Sequence, residues 1–224
     1  MKTIFPSLFS FIVCCSYLFG QHSDSDKIHL RYTVSPIQLV HPNTPTFKSG
    51  LEAEMGRITL WYEHGIRIPV LDLVWDGFAK ENISDLSYWK GQGGVRLFLN
   101  DFSGLKIFVG IHGFHSPKSY SRVSDWYKPS SSGDHLYYEQ ADIRITRSGA
   151  RGEVGFRYQR NRLGVDLSCS LGILQRIVRY NNIVNETLVP DVHDDFLILR
   201  PDRRPGTEVL PTAIASLRFH YLIF

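Results

Sequence analysis

The sequence contains few of the residues that hold small secreted or metal-binding domains together. Two of its three cysteines, Cys14 and Cys15, lie close to the N-terminus, so Cys169 is alone in the rest of the chain. A single thiol cannot form an internal disulfide framework, and the cysteine spacing does not suit zinc. We therefore expect backbone pairing and side-chain packing to stabilise the fold.

Long apolar runs and a strong net charge are also missing. The body of the chain has no stretch of about 18 or more apolar residues, which excludes a helical membrane protein. The formal net charge of +3 over 224 residues is too small for a dedicated nucleic-acid-binding protein. Neither absence excludes a membrane β-barrel, because the alternating residues of its strands average to ordinary hydropathy.

The N-terminal segment is typical of a secretory signal peptide. Lys2 precedes an apolar run over residues 4–19, and Gly20 then leads into a polar stretch. This order of basic, apolar and small residues marks a segment that is removed on export. We expect residues 1–20 to be a signal peptide and residues 21–224 to form the mature domain. An uncleaved anchor or lipid attachment is less favoured, because the apolar run is short and bulky residues precede the early cysteines.

Beyond the first 27 residues, apolar and polar residues alternate with a period of two. Between Leu163 and Ile173, every odd position is apolar and every even position is small or polar. Side chains on a strand point alternately to its two faces, so this segment predicts a strand with one apolar face. No segment has a helical period, so we expect little helix. The same alternation occurs in Ile28–Val40, Phe47–Met55, Ile58–Ile68, Gly94–Leu99, Leu105–His112, Glu153–Tyr158 and Ser216–Ile223.

The connections between these eight strands alternate between short and long. Short turns at one end and long loops at the other are typical of outer-membrane barrels, and an even number of strands lets a meander close. We therefore predict an all-β fold, an eight-stranded antiparallel up-and-down transmembrane β-barrel with short periplasmic turns and long extracellular loops. The short turns are expected at 56–57, 100–104 and 160–162, and the long loops at 41–46, 69–87, 116–136 and 181–207.

One segment, Tyr137–Gln159, is too long for a single membrane crossing of about ten residues. The phase of its apolar residues also changes, because Ile143 occupies an odd position and Val154 an even one. A turn near Gly149 would add a ninth strand, whereas a β-bulge there would change the phase and keep eight. We favour the bulge, with the upper part of the strand extending beyond the membrane.

The polar faces of the predicted strands carry charges of both signs in similar numbers. In a soluble barrel these faces would meet water, whereas in a membrane barrel they would line the lumen. Eight strands leave an interior just wide enough for side chains, and an unpaired buried charge is costly. We therefore expect the charges to pair and fill the lumen, leaving no open pore. They are Glu52, Glu54, Glu63, Arg67, Arg96, Lys106, Glu153, Arg157, Asp166 and Arg218.

The predicted hairpin over residues 152–173 resembles one in outer-membrane β-barrel proteins of unknown function from Bacteroidota. Phe156–Gln159 ends the first strand, a short basic turn follows, and Val165–Leu167 and Leu171–Ile173 lie in the second strand. Gly93–Leu99 is similar to the arginine-bearing strand of that family. The resemblance implies an eight-stranded outer-membrane barrel of the cell envelope, inserted by the outer-membrane assembly machinery. It implies no activity, ligand or catalytic residue.

Candidate chemistry is sparse along the chain. His115 and Ser116, with Glu139 as the acid, would supply the groups that outer-membrane lipid hydrolases use. Adjacent residues on a strand point to opposite faces, however, so we favour a strand end without catalytic function. His193–Asp195 contains calcium-type ligands, but most such loop residues are simply solvated. We expect His112, Glu153 and Asp166 to be members of the interior charge network.

These patterns predict a non-enzymatic outer-membrane β-barrel with a structural or surface-recognition role. We expect no catalytic, cofactor-binding or metal-binding residues. The expected partners are membrane lipid and an unknown extracellular ligand that meets the long loops. Two alternatives stay open: a small outer-membrane barrel enzyme acting on lipid, and a secreted soluble barrel that binds an apolar ligand as lipocalins do.

Overall fold

The computed structural model describes residues 28–36, 46–68, 83–102, 104–129, 134–189 and 203–224. The expected signal peptide and the His193–Asp195 segment lie outside these ranges. The described part of the chain holds no helix that is long and apolar enough to cross a membrane. Its strands are β1 (His29–Ser35), β2 (Thr46–Met55), β3 (Ile58–Arg67), β4 (Ile83–Phe102), β5 (Leu105–Tyr127), β6 (His135–Arg160), β7 (Leu163–Val184), β8 (Thr187–Val189) and β9 (Gly206–Leu222).

Eight of these strands form one closed antiparallel ring. Each strand from β1 to β6 pairs with the next along the chain, and β9 pairs with both β7 and β1. Tyr32 on β1, for example, lies between Leu51 on β2 and Tyr221 on β9. The three-residue strand β8 pairs with the far end of β6, beside the ring. The predicted eight-stranded antiparallel up-and-down barrel is therefore confirmed.

The turns at one end of the barrel are short, as the sequence predicts. They join β2 to β3, β4 to β5 and β6 to β7, and two are tighter than predicted, because β4 continues to Phe102 and β6 to Arg160. Gly56 and Asn161 have positive φ angles of 55° and 57°, a left-handed conformation that glycine and asparagine adopt at little cost. The connections at the opposite end are longer, so short and long connections are segregated. We call the short-turn end the lower end of the barrel.

The predicted boundaries of three long loops are wrong. β4 already begins at Ile83, while β5 continues to Tyr127 and β7 to Val184. The upper parts of these strands carry polar residues on their outer face, such as Ser119 and Ser121, and that composition is typical of loops. Pairing with neighbouring strands keeps them extended. The ranges predicted as loops were 69–87, 116–136 and 181–207.

The segment Tyr137–Gln159 lies within a single strand, β6, and does not form a hairpin. The bulge predicted near Gly149 is absent, because the register runs unbroken through this residue, which lies opposite Leu174 on β7. The register shift between β6 and β7 occurs higher up, between Gln140 and Asp142. The prediction of one long strand is correct, but its explanation by a bulge at Gly149 is wrong.

The apparent change of phase in β6 is a change in the polarity of its two faces. Ile143 and Ile145 are 1% and 4% exposed, whereas Val154 and Phe156 are 52% and 49% exposed. Arg157, which like the isoleucines occupies an odd position, is fully buried. Odd residues therefore point inward in both parts of the strand. The lower part has charges inside and apolar residues outside, and the upper part has the reverse.

The outward side chains of the lower part form an apolar band around the barrel. On β7 this band runs from Leu163 to Ile173, and the outward residues that follow are Gln175, Ile177 and Arg179, two of them polar. At ~3.3 Å per residue and a strand tilt of ~40°, the segment rises about 25 Å, which matches the apolar band of membrane barrels. Other exposed members of the band are Val95, Leu97, Val109, Ile111, Val154, Phe156 and Phe219.

Above the apolar band, β5, β6 and β7 continue as a strand extension with its own small core. Tyr127 and Tyr180 stack at its top, with ring centroids 4.6 Å apart. Burial and a hydrogen bond to Glu186 raise the pKa of Tyr127 to about 12, so its hydroxyl stays protonated at neutral pH. Buried members of this core are Tyr120, Tyr127, Tyr138, Ala141, Ile143, Ile145 and Val178.

An inward-facing glycine on β4, Gly94, lets two rings approach each other in the lumen. Its register partners are Trp61 on β3 and His112 on β5, whose ring centroids lie 5.5 Å apart. A Cβ atom at Gly94 would lie 2.1 Å from the carbonyl oxygen of Ile111 and 2.6 Å from the Cβ of His112. Because these atoms belong to or adjoin the backbone, any side chain at Gly94 would force the strands apart.

We expect Gly94→Ala to lower the free energy of unfolding by about 1–3 kcal/mol, as overpacked sites do. Gly113→Ala is the matched control, because Gly113 faces outward on β5 and the nearest atom to its Cβ position is 3.8 Å away. The control should change stability by less than about 0.5 kcal/mol. Urea unfolding followed by tryptophan fluorescence measures both variants. Equal effects on the two would contradict a tight contact at Gly94.

Candidate functional site

The centre of the lower lumen is a buried network of ion pairs around Arg157 of β6. Its Nη1 and Nη2 atoms donate to the two carboxylate oxygens of Glu52 at 2.5 and 2.7 Å. Its Nε atom donates to Oδ1 of Asp166 at 2.7 Å. Asp166 is the direct register partner of Arg157 on β7, whereas Glu52 reaches it from β2 across the lumen. Both carboxylates are therefore bound by one guanidinium group.

A second buried arginine, Arg96 of β4, joins this network from two strands away in the ring. Its Nε and Nη2 atoms each donate to Glu153 at 3.0 Å, and its Nη1 atom donates to Asp166 at 2.8 Å. The guanidinium carbon also lies 4.5 Å from the ring centroid of Phe108 and 5.0 Å from that of Trp61. Arginine stacks well on aromatic faces, so the cation is held by carboxylates at its edge and rings at its faces.

Further pairs complete what we call the ion-pair layer. Lys106 Nζ lies 3.1 Å from Glu54, and Arg218 Nε lies 2.8 Å from Glu63. Arg31 also binds Glu54. The layer thus combines five carboxylates, Glu52, Glu54, Glu63, Glu153 and Asp166, with five cations, Arg31, Arg96, Lys106, Arg157 and Arg218. The prediction that these interior charges pair is confirmed; Arg67, the remaining residue of the predicted set, instead donates to the carbonyl of Leu86.

Another row of inward positions, followed from β1 to β9 through the register of neighbouring strands, has a very different charge. It contains one residue from each ring strand, and we call it the basic row. The row begins beside the ion-pair layer, where Ser35 donates to Glu63 at 3.0 Å, and it rises around the barrel to Glu208 near the upper end of β9. Four of its side chains are basic and one is acidic. In ring order they are Ser35, Lys48, Gly65, Lys90, Ser116, Arg147, Arg176 and Glu208.

The basic row borders a cavity of about 440 Å³ in the lumen. None of the described residues that line this basic cavity is an aspartate or glutamate. Phe114, Leu174 and Leu210 form an apolar part of its wall. The cationic side chains that line it are Lys48, Lys90, Arg147, Arg151 and Arg176.

Arg151 of β6 lies between the ion-pair layer and the basic row, opposite His112 in the register. It is 8% exposed, and its Nη2 atom donates to the hydroxyl of Thr212 at 3.2 Å. Its guanidinium carbon lies 3.8 Å from the ring centroid of Phe114. No carboxylate of the described ranges pairs with Arg151, and its buried Nε atom has no hydrogen-bond partner there. The buried cation therefore faces the cavity without a neutralising group.

The residues considered for lipid hydrolysis are not brought together. Both His115 and Ser116 border the basic cavity, but the His115 side chain points outward, where its Nδ1 atom lies 2.7 Å from the hydroxyl of Ser148 on β6, whereas the Ser116 side chain points inward. Glu139 lies about 30 Å further along the strands, at ~3.3 Å per residue, and accepts a hydrogen bond from Asn185. The geometry does not assemble a triad from His115, Ser116 and Glu139.

The other candidate residues take part in structural contacts. Glu153 and Asp166 bind the two central arginines, as the sequence predicts. His112 Nδ1 lies 3.9 Å from Glu153, beside the Trp61 ring. Within the described ranges, no cluster of three or more histidine, cysteine, aspartate or glutamate residues could hold a metal ion.

A belt of aromatic and polar side chains lies on the outer surface at the upper edge of the apolar band. The His64 and Trp89 rings stack with centroids 5.5 Å apart, and Trp89 lies 5.4 Å from the His115 ring. The Tyr62 hydroxyl lies 3.5 Å from His64 Nδ1, and Ser148 continues the belt on β6. Rings with a polar tip are typical of the boundary between lipid and water.

Comparisons with known proteins assign no family to the chain. No family model matches the chain, and no curated protein matches it. Among solved structures, the crystal structure of Acinetobacter baumannii CarO is similar, with a TM-score of 0.37 and 11% sequence identity. That similarity covers 87% of this chain and 96% of the other. The resemblance to a Bacteroidota family therefore stays a prediction.

Proposed function

We propose that this chain is an integral outer-membrane β-barrel without catalytic function, which presents its strand extension and long connections at the cell surface. The observation that carries the proposal is the polarity of the lower barrel. Leu171 is 70% exposed and Ile111 is 71% exposed, while Arg96 and Arg157 are fully buried. Hydrocarbon is the solvent that suits an apolar exterior around a charged lumen.

The order of the apolar band, the aromatic belt and the short turns along the barrel axis supports a position in the bilayer. The apolar band is about 25 Å high, and the aromatic belt of Tyr62, His64 and Trp89 lies at its upper edge. The short turns lie at the lower end, where outer-membrane barrels face the periplasm. The strand extension would then stand outside the cell, with its polar outer face in water.

The strand extension supports a recognition role, because its outer face is polar and ordered. Ser121 on β5 donates to Asp142 on β6 at 2.6 Å, and Asn182 on β7 donates to the same carboxylate at 2.7 Å. These hydrogen bonds lower the pKa of Asp142, so the carboxylate stays ionised at neutral pH. The three strands are thus joined into one surface for a partner outside the cell.

Cell fractionation tests the proposal. We expect the full chain, expressed in a bacterium with two membranes, to sediment with the outer membrane and to need detergent for extraction. Unheated samples should migrate faster in SDS gels than boiled samples, because a closed barrel resists unfolding by the detergent. A folded chain recovered from the periplasm or medium without detergent would overturn the proposal and support the lipocalin-like alternative.

A further inference from the structure

We infer that the basic cavity is a binding site for a multivalent oxyanion, such as a phosphate group. The cavity lies inside the barrel, above the ion-pair layer, and none of its five cations is a member of that layer. The inference goes beyond the proposed surface role and does not depend on the compartment in which the barrel resides.

The first argument is the contrast between two levels of one lumen. In the ion-pair layer, Arg96 and Arg157 each meet two or more carboxylates at hydrogen-bond distance. Around the basic cavity, five cations are present and no described carboxylate lines the wall. At this level Glu208 binds Arg176 at 2.5 Å. A buried charge is stable only when it is paired, so an anion from solution would neutralise Arg151, which no carboxylate of the described ranges binds.

The second argument is the set of donors that remain available within the described ranges. Arg151 has no carboxylate partner, and the Nε atoms of Arg151 and Arg176 are buried without a hydrogen-bond partner. These two side chains come from adjacent strands, β6 and β7. Lys48 reaches the cavity from the far wall, where it donates to Gln92 at 2.9 Å. The planar guanidinium group of arginine matches the geometry of phosphate oxygens, and the ammonium group of Lys48 would add a further positive charge.

The third argument is the size and the wall of the cavity. Its volume of about 440 Å³ falls within the range of small-molecule sites, roughly 300–1,000 Å³, and exceeds the volume of one phosphate group. Phe114, Leu174 and Leu210 give part of the wall a low polarity, which strengthens electrostatic attraction. The cavity therefore has room for an organic group attached to the phosphate.

Calorimetric titration of the purified, folded barrel at low ionic strength tests the site. The probes are pyrophosphate, inorganic phosphate, glycerol phosphate and, as a monovalent control, acetate. We expect saturable binding of the phosphate probes with one site per chain, and weaker binding of acetate. Tighter binding of glycerol phosphate than of inorganic phosphate would indicate an organic phosphate as the ligand, and the reverse order would indicate free phosphate.

Variants assign the binding to the cavity. Arg151→Gln should weaken pyrophosphate binding about 10-fold or more, as loss of a charge-assisted hydrogen bond does, and Arg151→Lys should retain part of the affinity. Arg144→Gln is the matched control, because Arg144 lies on the same strand but points outward. Lys48→Gln is a second cavity variant if Arg151→Gln fails to fold. The inference would be overturned if pyrophosphate binding did not saturate, or if Arg144→Gln weakened it as much as Arg151→Gln. Either result would leave the membrane proposal intact.

Discussion

Replacing Arg157 with leucine should lower the free energy of unfolding of the barrel by about 3–5 kcal/mol. The Arg157 side chain is fully buried and binds both oxygens of Glu52 and both oxygens of Asp166. Without the guanidinium group, these two carboxylates would share the remaining cations and keep a buried excess of negative charge. Urea unfolding in detergent micelles, followed by tryptophan fluorescence, measures the loss.

Two further variants separate the ion pairs from general damage to β6. Arg160→Leu changes an exposed arginine on the same strand, next to a short turn, and should shift stability by less than about 0.5 kcal/mol. Adding Glu52→Gln to Arg157→Leu should restore part of the lost stability, because it removes one unpaired carboxylate. An unchanged urea midpoint for Arg157→Leu would mean that the network does not hold the lumen together.

Leu167→Arg should destabilise the barrel in a lipid bilayer by about 2–4 kcal/mol, the cost of an arginine at the membrane midplane. Leu167 lies near the middle of the apolar band on β7 and is 57% exposed, so the change removes little packing within the protein. The expected penalty therefore comes from the surrounding hydrocarbon. Folding into vesicles, measured by the heat-dependent shift in gel migration and by urea titration, gives its size.

Gln175→Arg is the matched control for Leu167→Arg. Gln175 points outward on the same strand, just above the apolar band. An arginine there should cost no more than about 1 kcal/mol, because the penalty falls towards the membrane interface. If both variants were equally mild, the apolar band would not face lipid, and the proposed membrane position would be wrong.

The strands that the sequence predicts best are those in which each face keeps one polarity over the whole height of the apolar band. Between Leu163 and Ile173, all outward residues are apolar and all inward residues are small or polar, so period two is evident. The same regularity predicts the ring of eight strands, because short and long connections alternate between such segments. The predicted interior pairs of Arg96 and Arg157 follow from this, since only the polar face can line the lumen.

The errors concern places where the environment of a face changes along one strand. In β6 the inward face carries Glu153 and Arg157 in the lower part and Ile143 and Ile145 in the upper part. A pattern of apolar residues alone cannot distinguish such an inversion from a bulge. The extensions of β5 and β7 were predicted as loops for the same reason, because their outer faces turn polar above the apolar band.

The basic cavity was not predicted, although each of its cations is visible in the sequence. Lys48, Lys90, Arg147 and Arg176 lie on four different strands, at positions far apart in the chain. Only the folded barrel shows that they line one cavity in the lumen. The alternation of inward and outward residues would have placed each of them on an inward face, but not around one cavity.

The inverted polarity of β6 also protects the barrel against misalignment. A slip of one residue against its neighbours would exchange the two faces along the entire strand. Arg157 would then point outward into the apolar band, while higher on the strand Ile143 would leave the core of the strand extension. The slip is therefore unfavourable in both parts of the strand, for opposite reasons. Each part by itself favours the observed register.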